Sequence, residues 1–134
     1  MSFGHYVAGF FDGEGSLIMR FQKDPRYKTG IRVGPKIALT QKDKEVLIQI
    51  QTTLKMGKMY FHKRDGLWYL EIYKHDDIKQ FLDLIKNIVI VKKRTLEKFE
   101  FCINMMTEEK HLTREGVKKM QDAWLIPNTA HNTP

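Results

Sequence analysis

Residues 6–15 constrain this chain more than any other stretch of it. They read YVAGFFDGEG and predict a helix over residues 3–13, with Gly9 and Gly13 four positions apart and therefore on one face. Two acidic side chains close the helix, where the macrodipole is negative and a carboxylate costs about 0.3–1 kcal/mol unless a cation is nearby. We therefore expect Glu14, the second of them, to serve chemistry rather than stability.

Size and charge narrow the possible partners. The 134 residues, 42% of them hydrophobic, suffice for one domain with its own core, predicted over residues 1–125, and residues 126–134 read as a polar, disordered tail. A net charge of +7 favours a polyanionic partner, nucleic acid before an anionic membrane surface. The sequence contains neither an apolar run of about 18 residues nor a signal-peptide pattern, so we expect an intracellular protein that does not enter membranes.

The single cysteine supports the same compartment. Cys102 has no partner for an intrachain disulfide, which is typical of proteins in reducing surroundings. Its position within a predicted helix indicates a small core residue rather than a reactive thiol.

Hydrophobic periodicity predicts alternating helices and strand pairs. Residues 16–23 and 31–41 read as strands joined by a hairpin, and residues 58–63 and 67–73 read as a second hairpin around an Asp-Gly turn. The further helices are predicted from a capping Asp43 to a stop at Gly57, from Asp76 or Asp77 through Ile85, over residues 91–107, and from a capping Thr113 to about residue 125. The order αββαββα makes this an α+β fold, with its core over about residues 3–107.

One face of the predicted sheet is polar and mostly basic. In the first strand Leu17, Met19 and Phe21 alternate with a second set that faces the other way, namely Ile18, Arg20 and Gln22. The polar face continues through Arg32, Lys36, Ala38 and Thr40, and then through His62, Arg64, Tyr69, Glu71 and Tyr73. A solvated sheet face is polar in many proteins, so this alternation alone favours solvation and ligand contact equally.

The sequence of residues 7–15, VAGFFDGEG, resembles the motif that names the LAGLIDADG homing endonucleases. TQK at residues 40–42 and VKKR at residues 91–94 are also similar to that family, and the resemblance runs in order over residues 5–107. It implies the LAGLIDADG fold, in which a twisted four-stranded antiparallel sheet forms a DNA-binding saddle. Because the chain carries one motif, it resembles the homodimeric branch of the family, and the implied dimer interface comprises Tyr6, Gly9, Phe10 and Gly13.

The resemblance implies a site-specific homing endonuclease that makes a metal-dependent double-strand break in a long, roughly palindromic DNA target. Glu14 would hold Mg²⁺, with the backbone of Gly13 as a further ligand, and Mn²⁺ or Ca²⁺ would substitute for binding. Gln41 would help to position the attacking water, and Lys92 would stabilise the charge of the pentacoordinate phosphate. This chain has Glu14 where the family typically has Asp, which keeps the carboxylate and lengthens it by one methylene.

The resemblance also assigns the polar sheet face to DNA. Arginine reads guanine in the major groove, glutamine reads adenine, and isoleucine contacts the thymine methyl group. Other basic side chains are predicted to meet phosphates and to add salt-dependent affinity, namely Lys23, Arg26, Lys28 and Lys42.

Three alternatives stay open. A non-cleaving DNA-binding regulator and an intron RNA splicing maturase of the same fold would share the basic surface. A structural or membrane-surface protein would leave the glycine pair and Glu14 unexplained.

Asp12 is interpreted as a structural partner at the helix end at least as readily as a metal ligand. The family suggests an organelle, a mitochondrion or a chloroplast, as the compartment.

Overall fold

The computed structural model describes residues 2–126. Within them, five α-helices and four β-strands follow in the order α1 (Phe3–Glu14), β1 (Gly15–Lys23), β2 (Ile31–Gln41), α2 (Lys44–Leu54), β3 (Lys58–His62), β4 (Leu67–Ile72), α3 (His75–Ile85), α4 (Lys93–Thr107) and α5 (Arg114–Trp124). A short 3₁₀ helix, Lys110–Leu112, lies between α4 and α5. The predicted α+β class is confirmed. The helices predicted through Ile85 and over residues 91–107, which the order αββαββα counts as one, are α3 and α4, and α5 is the predicted C-terminal helix.

The first elements follow the prediction closely, and Gly15 explains the abrupt change from helix to strand. α1 extends one residue beyond the predicted end, and β2 has the predicted bounds. Gly15 is extended rather than left-handed, and a Cβ placed on it would lie 2.2 Å from the Phe11 ring. The glycine is therefore needed for close approach, which lets β1 begin directly after Glu14.

Several predicted boundaries were wrong by one or two residues. The helix expected from Asp76 or Asp77 begins at His75, and its N-cap residue, Lys74, makes no side-chain capping hydrogen bond. The helix expected from residue 91 begins at Lys93. The strands expected over residues 58–63 and 67–73 each end one residue earlier. The left-handed residue directly after α2 is Lys55, with Gly57 also at positive φ.

The four strands form one sheet in the order β1-β2-β4-β3, with β4 antiparallel to both β2 and β3. Register places Thr40 and Tyr60 opposite Tyr69, and it places Ala38 and Lys58 opposite Glu71. Directly opposed residues point to the same face of a sheet. The register therefore places the polar side chains of three strands in successive rows across the sheet, which we call levels. One level contains Thr40, Tyr60 and Tyr69, and the next contains Ala38, Lys58 and Glu71.

Contacts between Cα atoms group the chain into two compact units. The first combines residues up to 18 with residues 36–92. In it α1 packs against α3, with the Phe11 and Phe81 rings edge to face at 5.9 Å between centroids, and α2 packs against β4. Its fully buried side chains include Val7, Phe11, Ile37, Leu39, Leu47, Ile50, Leu70, Ile72, Ile78, Phe81 and Ile85.

The second unit combines residues 19–35 with those from residue 93 onward. Here α4 packs against α5, which Thr113 caps as predicted by accepting a hydrogen bond from Gly116 N–H. Cys102 is fully buried, and burial raises the pKa of its thiol to about 11, which confirms the core interpretation. A single domain over residues 1–125 stays a prediction, and of the tail predicted over residues 126–134 all but Ile126 lie outside the described residues.

Candidate active site and nucleic-acid interface

Two residues lock the end of α1 to the segment that precedes α4. The Asp12 carboxylate accepts hydrogen bonds from the backbone N–H of Ile90 at 2.7 Å and from that of Lys92 at 3.1 Å. In return, Lys92 Nζ donates to the Asp12 carbonyl oxygen at 2.7 Å. These reciprocal bonds, the Asp12–Lys92 clamp, show Asp12 as a structural partner of the segment directly before α4. They also put a cation at the negative end of the helix.

Other groups of the same unit hold the last turn of α1. The Phe11 carbonyl accepts from Gly15 N–H, and the Glu14 carbonyl accepts from the Thr40 hydroxyl at 3.3 Å. Terminal carbonyls of a helix have no partner within the helix, so donors from β1 and β2 satisfy two of them. The backbone of Glu14 is thereby anchored to β2, next to Gln41.

The Glu14 side chain, by contrast, is open. It is exposed, and none of residues 2–126 donates a hydrogen bond to its carboxylate or forms an ion pair with it. Gln41 is half-buried at the end of β2, where its amide oxygen accepts from Lys42 N–H at 2.8 Å. In the described part of the chain, no group of three or more His, Cys, Asp or Glu side chains could hold a metal ion. Of the two carboxylates near this end of α1, that of Asp12 is therefore occupied by the clamp and that of Glu14 is open.

The predicted interface face of α1 is bare. A Cβ on Gly9 or Gly13 would meet nothing within 4 Å, whereas one on Gly4 of the same helix would lie 3.0 Å from Leu84. Tyr6 is 47% exposed and its ring stacks on that of Phe3 at 6.4 Å. No described residue of the chain covers this glycine face.

A polar network lies on the sheet face at the level of Glu71. Lys36 Nζ donates to Glu71 Oε2 at 3.0 Å, the Tyr73 hydroxyl donates to Glu71 Oε1, and Lys36 Nζ lies 5.8 Å from the Tyr73 ring centroid. Burial raises the pKa of Glu71, but the hydrogen bonds from Tyr73 and Lys36 and the charge of Lys36 outweigh it and hold the pKa below its usual range. The carboxylate is therefore ionised, and each of its two oxygens has a hydrogen-bond donor.

The next level of the face, closer to Gln41, is aromatic. The His62 ring stacks on Tyr69 at 3.9 Å between centroids, and the Tyr69 hydroxyl donates to Asp65 Oδ2 at 2.6 Å. That hydrogen bond lowers the pKa of Asp65. Arg64 is exposed in the turn between β3 and β4.

A family model described as LAGLIDADG endonuclease matches residues 7–105. The chain belongs to the LAGLIDADG endonuclease family. The match covers the glycine face, Glu14, the Asp12–Lys92 clamp and the whole sheet, and it confirms the resemblance carried by VAGFFDGEG.

Several endonucleases match the chain over most of its length. It is 30% identical over 131 residues to the probable intron-encoded endonuclease 2 of Neurospora crassa, covering 86% of this chain and 27% of that protein. It is 30% identical over 111 residues to the homing endonuclease I-ApeII of Aeropyrum pernix, covering 79% and 65%. The chain thus spans less than two thirds of the length of either relative. The structure of the archaeal intron-encoded homing endonuclease I-Vdi141I complexed with DNA matches with a TM-score of 0.83 at 25% identity, covering 90% of this chain and 79% of that one.

Most of the predicted DNA-contacting residues of this LAGLIDADG chain are accessible, with two exceptions. Ala38 is 3% exposed and Glu71 is 7% exposed. The alternation assigned both to the polar face correctly, but Ala38 is short and lies opposite Glu71 in the register, and Glu71 is enclosed by its own partners. The remaining residues of the face in the first unit are half-buried or exposed, namely Ile18, Lys36, Thr40, His62, Arg64, Tyr69 and Tyr73.

The predicted contacts of the second unit are exposed and fall into two kinds. Arg26 is engaged, because its Nε and Nη2 donate to the Asp24 carboxylate at 3.0 and 2.7 Å and lower the pKa of Asp24 to about 2. None of the described residues forms a hydrogen bond or ion pair with the other side chains, namely Arg20, Gln22, Lys23, Lys28 and Arg32.

Sequence reasoning missed two residues of the sheet face. Lys58 and Tyr60 are exposed and share a face with His62, since the three alternate along β3. The signal was the period of two, which the apolar and aromatic run MYF partly obscures.

Of residues 2–126, none belongs to a helix that is long and apolar enough to cross a membrane.

Proposed function

We propose that two copies of this chain form a site-specific DNA endonuclease that makes a metal-dependent break in both strands of a long, roughly palindromic target. The observation that carries this proposal is the contrast at the end of α1. The backbone there is fastened by Asp12, Lys92 and Thr40, while the Glu14 carboxylate is exposed and has no partner among the described residues. A rigidly presented, unused carboxylate is suited to bind a metal ion.

Mg²⁺ is the proposed metal. The carboxylate of Glu14 is a hard oxygen donor without a competing cation, the Gly13 carbonyl is the adjacent backbone donor, and both fit magnesium. A bound Mg²⁺ would supply Lewis-acid stabilisation of phosphate oxygens and a more acidic water molecule. We expect Mn²⁺ or Ca²⁺ to replace it for binding.

Two further side chains complete the proposed chemistry. Lys92 uses one N–H in its bond to the Asp12 carbonyl, which leaves two donors of the ammonium for a phosphate oxygen in the transition state. Gln41 follows Thr40 at the end of β2, and we assign it to orienting the attacking water. Asp12 acts through Lys92 and is a positioning residue.

The bare face of α1 supports a homodimer. Two helices that meet through glycine approach closely, and a two-fold axis lets the same patch face itself. The exposed ring of Tyr6 and the half-buried ring of Phe10 would flank the contact, and Gly9 and Gly13 would lie at its centre. Each copy would then bring one Glu14 to the axis, one for each DNA strand.

The sheet face is the proposed reader of the target. Exposed Arg20 and Gln22 carry the donors and acceptors that distinguish base pairs in the major groove. Lys23 and Lys28 would contact phosphates. Support comes from I-Vdi141I, the matching protein that is complexed with DNA.

The origin and compartment are also part of the proposal. The Neurospora crassa relative is described as intron-encoded, and we extend this description to the present chain. A mobile intron would place the protein inside the cell, in an organelle where its intron resides.

A randomised duplex-DNA library, incubated with the protein and Mg²⁺ or with EDTA and then sequenced at any new ends, tests the function. We expect metal-dependent ends at one long, pseudo-symmetric site. Tight binding without cutting, followed by stronger retention of intron RNA than of duplex DNA, would favour the maturase alternative. Binding of duplex without cutting would favour the regulator.

A further inference from the structure

Glu71 has a different environment from every other carboxylate in the described chain. Among residues 2–126 it alone is both charged and buried, with 7% of its surface exposed. Both carboxylate oxygens are occupied, Oε2 by Lys36 Nζ at 3.0 Å and Oε1 by the Tyr73 hydroxyl. The partners also face each other, since the Lys36 ammonium lies 5.8 Å from the Tyr73 ring centroid. The three side chains fix one another's positions.

Stability is a weak reason for such an arrangement. Burying an ion pair costs much of what its Coulomb attraction returns, and apolar residues of similar volume often serve a core equally well. A buried pair does restrict a long, flexible side chain to one direction. For Lys36, whose side chain is 16% exposed, the bond to Glu71 fixes the position of the ammonium and leaves two of its three donors available.

The network also lies at an accessible part of the sheet face. Tyr73 is 45% exposed. Glu71, Tyr73 and Lys58 line one side of an open cleft of about 540 Å³, and its other lining residues come from α2, α3 and the segments beside them, among them Gln51, Lys55 and Asp77. The register puts Glu71 two residues beyond Tyr69, away from Gln41. Two residues span about 6.8 Å of an antiparallel strand, which matches about two base pairs of duplex.

We infer that Glu71 is a positioning residue for DNA recognition, which holds Lys36 and Tyr73 so that they read one base pair in each half-site, without contacting DNA itself. This inference rests on the proposed function. Two directed N–H donors of Lys36 match the N7 and O6 acceptors of guanine, so the base pair in question carries a preference for guanine. It lies about two base pairs farther from the cut than the position read at the level of Thr40 and Tyr69.

The test is a profile of cleavage rates over every single base-pair substitution of the target. Glu71→Gln keeps the size of the side chain and removes its charge, so Lys36 is no longer held. We expect discrimination in favour of guanine to fall about tenfold at one base pair per half-site, with the other positions unchanged. Tyr69→Phe, which removes the hydroxyl bound to Asp65, is the matched control and should alter only a position about two base pairs nearer the cut.

A second pair of variants separates positioning from direct contact. In a background that carries both Lys36→Met and Tyr73→Phe, Glu71→Gln should produce no further change in the profile, because both groups that it positions are gone. A persistent loss at the same base pair would mean that Glu71 reads a base itself and would overturn the inference. A uniform rate decrease at all positions, with discrimination between base pairs unchanged, would reduce Glu71 to a structural role and also overturn it.

Failure of the proposed function gives a different result. A wild-type chain that neither binds nor cleaves any duplex overturns the proposed function, and this inference with it. An active wild-type enzyme whose Glu71→Gln variant keeps the full profile overturns the inference alone.

Discussion

Two glutamates of the same compact unit have opposite environments. Glu14 follows the last glycine of α1, is exposed, and has no hydrogen-bond or ion-pair partner among the described residues. Glu71 lies in β4, is buried, and has both oxygens occupied by Lys36 and Tyr73. Around Glu14 the structure fixes the backbone and leaves the side chain open. Around Glu71 it fixes the side chains to one another.

The difference shows how one residue type can serve two purposes. A carboxylate without partners contributes little to folding and can take a metal ion, whereas a satisfied carboxylate is part of the framework. The contrast leads us to assign reaction chemistry to the Glu14 region and recognition to the Glu71 region. Each of the following experiments tests one side of this contrast.

The largest effect is expected for Glu14→Gln. Cleavage should fall about 1,000-fold or more, because the amide removes the anionic ligand of the proposed metal. DNA affinity and the free energy of unfolding should stay within a small factor, since no described partner is lost. Cleavage assays, gel shifts and denaturant unfolding measure the three quantities. A variant that still cuts at the wild-type rate would refute the role of Glu14.

The glycine face of α1, like the Glu14 side chain, should be free to contact a second copy of the chain. Gly13→Leu should separate the dimer in sedimentation velocity and stop double-strand cleavage, because a side chain would block the approach of the second helix. The monomer should stay folded by circular dichroism, since a Cβ at Gly13 meets nothing within 4 Å and leucine is the better helix former by about 0.8 kcal/mol.

Gly15 provides the matched control for that experiment. Gly15→Ala should destabilise the monomer itself, because the added Cβ would lie 2.2 Å from the Phe11 ring. A Gly13→Leu variant that remains dimeric and active would place the dimer interface elsewhere.

The sequence alone predicted the Glu14 region much better than the Glu71 region. Glu14 could be placed because helix periodicity, Gly13 and the motif are all local, and the alternation of Leu17 and Met19 with Arg20 correctly gave the faces of β1. Lys36 and Glu71 are 35 positions apart, and only the pairing of β2 with β4 brings them together. Periodicity gives the face on which a residue lies but not the residue opposite it.

The clamp at the end of α1 was beyond sequence reasoning for the same reason. Asp12 could be recognised as a structural partner, but the N–H groups that it binds belong to residues 78 and 80 positions away. The chain order therefore gave no sign that Asp12 meets the segment directly before α4. The predicted roles of Gln41 and Lys92 stay predictions.

In the Glu71 region, Glu71→Gln should lower the free energy of unfolding by about 1–3 kcal/mol at neutral pH. Because the folded pKa of Glu71 lies below its ordinary value of 4.5, its stabilising contribution is complete above that pH and is lost as the pH falls through the folded pKa. The difference between wild type and variant should therefore shrink below about pH 4.5. Denaturant unfolding between about pH 3 and pH 7, a range that includes the ordinary pKa of a carboxyl group, measures this difference. A difference that is constant with pH would contradict the ion pair.

The smallest effect is expected for Arg20, an exposed side chain that no described residue holds in one position. Arg20→Ala should relax preference at one base pair per half-site by about 1–3 kcal/mol, without loss of folding stability. Lys28→Ala is the control, and it should weaken binding to all sequences and reduce the salt slope by about one. A uniform loss for Arg20→Ala in the same competition binding assay would make Arg20 a phosphate contact instead.

We propose that two copies of this chain, each with one Glu14, cut the two strands of one site. The direct measurement is the product that a mixed dimer forms on a supercoiled plasmid carrying the selected target. Wild-type and Glu14→Gln chains with different tags would be co-expressed and purified through both tags. We expect nicked circles from the mixed dimer and linear DNA from the wild-type dimer. Linear DNA from the mixed dimer at the wild-type rate would contradict the assignment of one Glu14 to each strand.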